Sequence, residues 1–182
     1  MPAGTRQLAP AMWGLVPSWW HKPLKEKKFS TFNARAEGLE ESNTFRGAFR
    51  HRRCLVPASG FYEWTGPQGR KTPYAIGLRN RRWFCFAGLW DRAMIDGSEL
   101  DSFTILTTKP NDLMAGLHTR MPVIVDPPRF EEWLGEDVPD PSMFEPFAAG
   151  RMEAFEVSTR VNSPKNNNAA LVEPVARDGL FG

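Results

Sequence analysis

Trp83-Phe84-Cys85-Phe86-Ala87-Gly88-Leu89-Trp90 is an eight-residue run without a charged or strongly polar side chain. Its length and aromatic content are typical of a buried β-strand, because a buried helix needs a longer run. Shorter apolar or alternating runs, separated by Gly and Pro, lie on both sides of it. They predict further strands at Trp13 to Val16, Cys54 to Val56, Phe61 to Trp64, Tyr74 to Leu78, Phe103 to Thr107, Pro122 to Val125 and Ala154 to Val161.

Helical signals are fewer. Ser42 or Asn43 is a suitable N-cap for a first helix, and Pro127 or Pro128 can start a second. The predicted helices are Ser42 to Arg50, Arg129 to Leu134 and, with a weaker pattern, Met143 to Ala149. The predicted class is therefore α+β, dominated by strands in a curved, mostly antiparallel sheet.

The chain has 182 residues, of which 41% are hydrophobic, so it can bury one sizeable core. We expect a single domain over residues 1–182 and a monomer. No apolar run approaches the roughly 20 residues that cross a bilayer, and the N-terminus lacks the layout of a signal peptide. We therefore expect no membrane partner and a cytoplasmic location.

Only two cysteines are present, Cys54 and Cys85, without a Cys-x-x-Cys pair or a histidine cluster. This composition predicts no disulfide framework, no metal site and no cofactor. The apolar neighbours Leu55 and Val56 favour a structural role for Cys54 over a nucleophilic one.

Charge is distributed unevenly along the chain. Residues 1–82 carry 15 Lys or Arg against 5 Asp or Glu, a net charge of +10, whereas residues 83–182 carry 8 against 16, a net charge of −8. Lys25, Lys27 and Lys28 lie close in sequence to Trp19 and Trp20, which combines phosphate-binding charge with surface for base stacking. The charge pattern alone is equally compatible with a solvated basic face.

Five segments of the chain form a recognisable set of motifs. They are Trp13-Gly14-Leu15-Val16-Pro17-Ser18-Trp19, Asn33-Ala34-Arg35, Arg53-Cys54-Leu55-Val56-Pro57-Ala58, Gly60-Phe61-Tyr62-Glu63-Trp64 and Leu117-His118-Thr119-Arg120-Met121-Pro122. Through these motifs the chain resembles the SOS response-associated peptidase (SRAP) family, from about Met12 to about Val161. The resemblance implies a bifurcated, mostly antiparallel sheet folded into pseudo-barrels with peripheral helices. It also implies binding of abasic sites in single-stranded DNA, with a covalent thiazolidine crosslink and lyase or autopeptidase activity.

Glu63 and His118 are the predicted proton-transfer residues. Strand alternation places Glu63 opposite Tyr62 and Trp64, and desolvation among aromatic side chains raises the pKa of a carboxyl group. His118 follows an apolar turn, in a loop of the kind that carries proton-transfer groups. A solvent-facing glutamate and a structural histidine are the alternatives, and the two motifs favour catalysis.

Asn33 and Arg35 would share one face of an extended segment and point at one ligand. An amide can bond a sugar oxygen, and a guanidinium can grip a phosphate with two parallel hydrogen bonds. The resemblance implies that Asn33 acts in catalysis by orienting the abasic sugar, and that Arg35, Arg120 and Thr107 contact phosphates.

The tryptophans divide into two expected groups. The resemblance places an apolar wedge near Trp19, so Trp19 or Trp20 is expected to stack on bases of the DNA. Trp64, Trp83 and Trp90 are expected in the core.

The nucleophile of the family is not among these motifs. In SRAP proteins the mature chain begins with a cysteine, whose amine and thiol react together with the aldehyde of the abasic site. Here Met1 is followed by Pro2, so we expect a domain truncated at its N-terminus, with residues 162–182 as a C-terminal loop and tail. Cys54 and Cys85 have no free α-amine, so this polypeptide is not expected to form the thiazolidine. A Pro2 amine acting as a lyase is a minor alternative.

Three other functions remain open at this point. The family name suggests a peptidase, although no Ser-His-Asp pattern supports a general protease. A non-covalent single-stranded DNA-binding module would show binding that weakens steeply with salt. A domain that binds a protein partner is supported only by the acidic second half.

Overall fold

The computed structural model describes residues 6–175, so Pro2 and the end of the predicted C-terminal tail lie outside it. The strands are β1 Met12–Trp13, β2 Asn33–Arg35, β3 Arg53–Ala58, β4 Phe61–Thr65, β5 Thr72–Leu78, β6 Phe84–Ile95, β7 Ser98–Thr108, β8 Met121–Pro122, β9 Ile124–Val125 and β10 Met152–Glu156. The α-helices are α1 Arg46–His51, α2 Asp112–Ala115 and α3 Phe130–Leu134. The 3-10 helices are Leu24–Glu26, Pro127–Arg129, Pro141–Phe144, Ala149–Arg151, Thr159–Asn162 and Ala169–Val172.

Two of the three predicted helices form, and the third does not. The helix predicted through Arg50 forms, but it begins at Arg46, after a turn in which the Ser42 carbonyl accepts the first N–H groups. The helix predicted after the two prolines is confirmed as a 3-10 turn that continues into α3. The helix at Met143 to Ala149 is wrong, because Pro146 lacks the N–H that a helix requires and the segment contains only the end of one 3-10 turn and the start of another.

The large sheet is built on a long hairpin formed by β6 and β7. Its two-residue turn, Asp96-Gly97, has positive φ at both positions, which is the conformation favoured for tight hairpins. β3 pairs antiparallel with β6, on the side of β6 away from β7. β1 and β2 follow one another along the other edge of β7, and both run parallel to it.

The sheet forks where β6 and β7 separate. Past the Gly88–Ile105 pair, β8 joins β7 and β9 joins β6, so one segment fills the fork. Val123 lies between these two strands, donating its N–H to Leu106 and accepting from the N–H of Ala87. A second, three-stranded antiparallel sheet has the order β10-β5-β4. The predicted α+β class and the bifurcated, mostly antiparallel sheet are confirmed, with each sheet open at its edges.

Alternation along β6 divides the core into two layers. Phe84 and Phe86 face the small sheet and pack with Ile76, Met114 and Met121. Cys85, Ala87 and Leu89 face the opposite way and pack under α1 and α3, in a cluster that includes Leu15, Phe49, Phe130 and Trp133. The molecule therefore stacks helices, large sheet and small sheet, and β4 carries its motif to the side of the large sheet that lacks α1 and α3.

Candidate active site

Glu63 lies in the middle of β4, opposite Tyr74 of β5. Phe61, on the same face of the strand, packs edge-on against Phe86 of the large sheet, with ring centroids 5.8 Å apart. Alternation therefore aims the Glu63 carboxylate toward the large sheet, where its side chain is only 24% exposed. Tyr62 and Trp64 project from the opposite face and contact each other.

His118 is positioned by α2, a single helical turn that sequence patterning did not predict. The Asn111 side chain caps this turn by accepting from the Met114 N–H, and Met114 is fully buried. The Met114 carbonyl then accepts from the N–H of His118, at 2.8 Å. The loop is thus anchored in the core while the imidazole stays half exposed.

The backbone of Arg120 fixes the orientation of the His118 ring. Its N–H donates to Nδ1 at 3.1 Å, and its carbonyl oxygen lies 3.0 Å from the same nitrogen. Nδ1 accepts from the N–H in one neutral tautomer and donates to the carbonyl in the other, with the same ring orientation in both. Nε2, which has no hydrogen-bond partner within residues 6–175, is therefore the nitrogen available to a ligand.

The structure brings the side chains of Glu63 and His118 close together. Oε1 of Glu63 lies 3.9 Å from Nδ1 of His118, too long for a hydrogen bond but close enough for charge coupling. Burial raises the pKa of Glu63 above its usual value, although His118, the Trp64 N–H and Lys71 oppose the shift. The carboxyl group therefore keeps its proton to higher pH than an exposed glutamate would.

Asn33 and Arg35 lie on β2, an edge strand of the large sheet, beside Thr107 of β7. Asn33 pairs with Ile105 and Arg35 with Thr107, while Ala34 between them is buried in the helix-side core. Asn33 and Arg35 thus share the face of the sheet that carries Ile105 and Thr107, as the spacing predicted. Both side chains are exposed and available to a ligand.

Arg120 joins this edge but is already paired. Its two terminal nitrogens donate to the two carboxylate oxygens of Glu37, at 2.9 and 2.7 Å, and one of them also bonds the Thr107 carbonyl. The pKa of Glu37 is lowered, chiefly by the hydrogen bond from Arg120 and further by the charge of Arg35. The predicted phosphate contact of Arg120 therefore has an internal competitor, which sequence reasoning missed although Glu37 follows Arg35 by two residues.

Trp19 lies apart from this group. Its indole is 52% exposed, donates to the Asn43 carbonyl and packs at a tilt against Trp20. Within residues 6–175, no hydrogen bond or aromatic contact joins it to Glu63, His118 or Asn33. The expectation of a core position for Trp83 is wrong, because its side chain is 61% exposed just before β6.

A second pair of exposed aromatic residues adjoins Asn33. Trp13 stacks on Phe103 and meets Phe32 edge-on, with centroids 5.6 Å apart, and its indole N–H bonds the Phe32 carbonyl. Trp13 pairs in register with Phe103, on the same strand as Ile105, so it shares the face of Asn33. Sequence reasoning assigned Trp13 to a strand without indicating that this strand lies at an exposed edge.

The two cysteines do not belong to this site. Burial raises the pKa of Cys54 to about 12, and burial also raises that of Cys85. Both thiols are free and packed in the sheet, so neither is a ready nucleophile. In the part of the chain that the structure describes, no group of three His, Cys, Asp or Glu side chains is placed to hold a metal ion. No helix among residues 6–175 has the length and apolar character to cross a bilayer.

Comparison with known proteins gives a consistent result. A family model described as SOS response associated peptidase (SRAP) matches residues 2–164. The abasic site processing protein YoqW of Bacillus subtilis is 42% identical over 175 residues, covering 92% of this chain and 76% of that protein. YedK of Escherichia coli, with the same description, is 28% identical over 173 residues, covering 92% and 75%. A crystal structure of a Bacteroides thetaiotaomicron protein aligns with a TM-score of 0.82 at 29% identity, covering 90% of this chain and 75% of that chain.

Proposed function

Since the chain belongs to the SOS response-associated peptidase family, we propose that it processes abasic sites in single-stranded DNA. The observation that carries the proposal is the pairing of a partly buried Glu63 with His118, 3.9 Å apart. Relatives at up to 42% identity are named as abasic site processing proteins, which supports the substrate class.

Glu63 and His118 would act on the aldehyde of the ring-opened sugar. An amine attacks the aldehyde carbon to form a carbinolamine, and the hydroxyl must take a proton to leave as water when the imine forms. A carboxyl group with a raised pKa can donate that proton. In the tautomer whose Nδ1–H donates to the Arg120 carbonyl, Nε2 of His118 can accept a proton from the attacking amine. In reverse, the same two groups would assist hydrolysis of the imine.

The edge of the large sheet would hold the strand around the lesion. Asn33 can bond an oxygen of the open sugar, and Arg35 and Thr107 can contact flanking phosphates. Arg120 can do so by sharing or exchanging its bonds to Glu37. Trp19, which does not contact the proton-transfer pair, would stack on a neighbouring base.

The amine and thiol of the crosslink must come from a residue other than Cys54 and Cys85. Both lie inside the chain, so their amines are peptide nitrogens, and burial raises the pKa of each thiol. The N-terminal residue of the protein as it exists in the cell therefore decides the outcome. Cysteine there gives the stable thiazolidine, whereas another residue gives an imine, or with proline an iminium, that no neighbouring thiol traps.

The test begins with the intact mass and N-terminal residue of the protein from its own cells. The same protein is then mixed with three oligonucleotides, carrying an abasic aldehyde, a ring-closed analogue without the aldehyde, or no lesion. We expect tighter binding of both lesions than of intact DNA, and a species resistant to denaturation only with the aldehyde if the chain begins with cysteine. Equal affinity for all three would overturn the proposal.

The same preparation tests the alternative functions. A non-covalent single-stranded DNA-binding module would bind all three oligonucleotides equally, with strong salt dependence. A peptidase would cleave a casein-like substrate and lose that activity on Glu63→Gln substitution.

A further inference from the structure

The turn between β5 and β6 forms a compact basic surface away from Glu63 and His118. It comprises Arg79, Asn80, Arg81 and Arg82, and Arg151 of a neighbouring 3-10 turn lies beside it; we name these five residues the arginine turn. All five are exposed. Nothing in the proton-transfer site uses them.

The backbone and one carboxylate hold the arginine turn in place. Asn80 adopts a left-handed conformation, with φ of 59°, which asparagine tolerates better than most residues. The N–H of Arg79 donates to the Arg151 carbonyl at 2.9 Å. Asp126 accepts two parallel bonds from Arg151 and lies 4.0 Å from Arg81.

The charge of this surface is largely uncompensated. Asp126 is the one carboxylate that forms ion pairs with the arginine turn among residues 6–175, and Arg79 and Arg82 form none. Four guanidinium groups thus stand against a single carboxylate. Between them lies a cleft of about 280 Å³ lined by Arg79, Asn80, Arg81 and Arg151, with Leu78 and Gly150. Several guanidinium groups around a cleft are suited to phosphate.

The surface is joined to the catalytic side chains through one strand. Glu63 pairs with Tyr74 of β5, and Arg79 follows five residues later, about 16 Å away at roughly 3.3 Å per residue. Trp83, 61% exposed, directly follows the arginine turn. Guanidinium groups next to an exposed aromatic ring are the combination that binds single strands by backbone contact and base stacking.

We propose that the arginine turn binds backbone phosphates of the single strand several nucleotides away from the abasic site, with Trp83 as an adjacent base contact. The inference rests on the proposed function for the identity of the strand. It adds a second contact region, so affinity should depend on oligonucleotide length. An oligonucleotide confined to the lesion should not reach the arginine turn.

The test compares the double substitution Arg79→Ala/Arg81→Ala with the full wild-type chain. Binding is measured by fluorescence anisotropy at several salt concentrations, using abasic oligonucleotides of about 5 and about 25 nucleotides. Arg46→Ala/Arg50→Ala, in exposed positions of α1 on the opposite side of the large sheet, removes the same charge as a control. Thermal unfolding of each variant checks that the fold is retained.

We expect the double variant to bind the long oligonucleotide roughly tenfold more weakly, with a salt slope shallower by about 1.4, since each single-strand phosphate contact contributes about 0.7. Binding of the short oligonucleotide should be unchanged, as should both affinities of the α1 control. Trp83→Ala should also weaken only the long complex, and Trp83→Phe should restore much of the loss.

Three results would overturn the inference: unchanged binding of the long oligonucleotide, an equal loss with the α1 control, or an equal loss for both lengths. Failure of the wild type to prefer abasic over intact short oligonucleotides would instead count against the proposed function. The two failures are therefore distinguishable.

Discussion

Glu63 combines two properties at the scale of a single residue. Its side chain is partly buried, and His118 lies close enough to interact with it electrostatically. Because burial raises its pKa, the carboxyl group is protonated over a wider pH range than an exposed glutamate and can act as an acid. We expect Glu63→Gln to slow formation of the aldehyde-dependent imine by about 100-fold or more, with affinity for the ring-closed analogue unchanged. Borohydride trapping at saturating DNA measures this rate.

The pH profile gives an independent check on Glu63. The wild-type rate should fall as pH rises through the raised pKa, since the acid is lost there, and the Glu63→Gln profile should lack that decline. An unchanged rate and an unchanged profile in the variant would exclude Glu63 as the acid.

Glu37 would act on the proposed DNA contacts through Arg120. Its carboxylate occupies both terminal nitrogens of Arg120, at 2.9 and 2.7 Å, and it carries negative charge beside Arg35. We expect Glu37→Gln to tighten binding of abasic DNA several-fold and to steepen its salt dependence, because phosphate no longer competes with a carboxylate. Glu37 is exposed, so the cost in stability should stay below about 1 kcal/mol. Weaker binding would show instead that Glu37 positions Arg120 for the phosphate.

At the scale of elements, β4 depends on a glycine at its start. A Cβ on Gly60 would lie 2.8 Å from the backbone oxygen of Ile76, so β4 and β5 would have to separate. We expect Gly60→Ala to lower the free energy of unfolding by about 1–3 kcal/mol and to slow catalysis by displacing Glu63. Gly150→Ala, where nothing lies within 4 Å of the added Cβ, is the matched control. Denaturant unfolding compares the two; equal effects would contradict the prediction.

Sequence patterning predicted some secondary-structure elements and missed others. The run at residues 83–90 predicted β6 because its apolar side chains from Phe84 to Leu89 are buried on both faces. Pro127 or Pro128 predicted the start of the α3 segment. The four-residue helix α2 was missed, since one turn carries no periodicity. The fork at Val123 was implied only by family resemblance, because a break in pairing between distant strands leaves no local signal.

At the scale of the whole molecule, sequence patterning again identified local arrangements but not contacts between distant segments. Strand alternation was enough to place Asn33 and Arg35 on one face. The motifs named Glu63 and His118 as candidate catalytic residues. Their closeness depends on contacts between β4 and a loop more than 50 residues later in the chain, which sequence spacing does not reveal. The exposure of Trp83 was missed for a related reason: an aromatic residue at the start of an apolar run is predicted to be buried unless the end of the strand is known.

The pH dependence of stability is the sum of contributions from carboxyl groups throughout the molecule. Glu37, Asp126 and Asp101 have lowered pKa values, chiefly from hydrogen bonds to arginines, so each contributes stability above its unfolded pKa that is lost as pH falls. The contribution of Glu63 to stability changes with pH in the opposite direction. Its raised pKa means that the folded state binds the proton more tightly, so its contribution is present below the ordinary value of 4.5 and lost as pH rises.

The difference between wild type and Glu63→Gln isolates that opposite contribution. The free energy of unfolding is measured for both proteins by denaturant titration from about pH 4 to pH 8, with other carboxylates cancelling in the difference. We expect the wild type to lose stability relative to the variant as pH rises above about 4.5, and the difference to level off once Glu63 is ionised in the folded state. A difference that is constant with pH, or that grows in favour of the wild type, would mean that Glu63 does not bind its proton more tightly in the folded protein. The same result would remove the physical basis for its role as the acid.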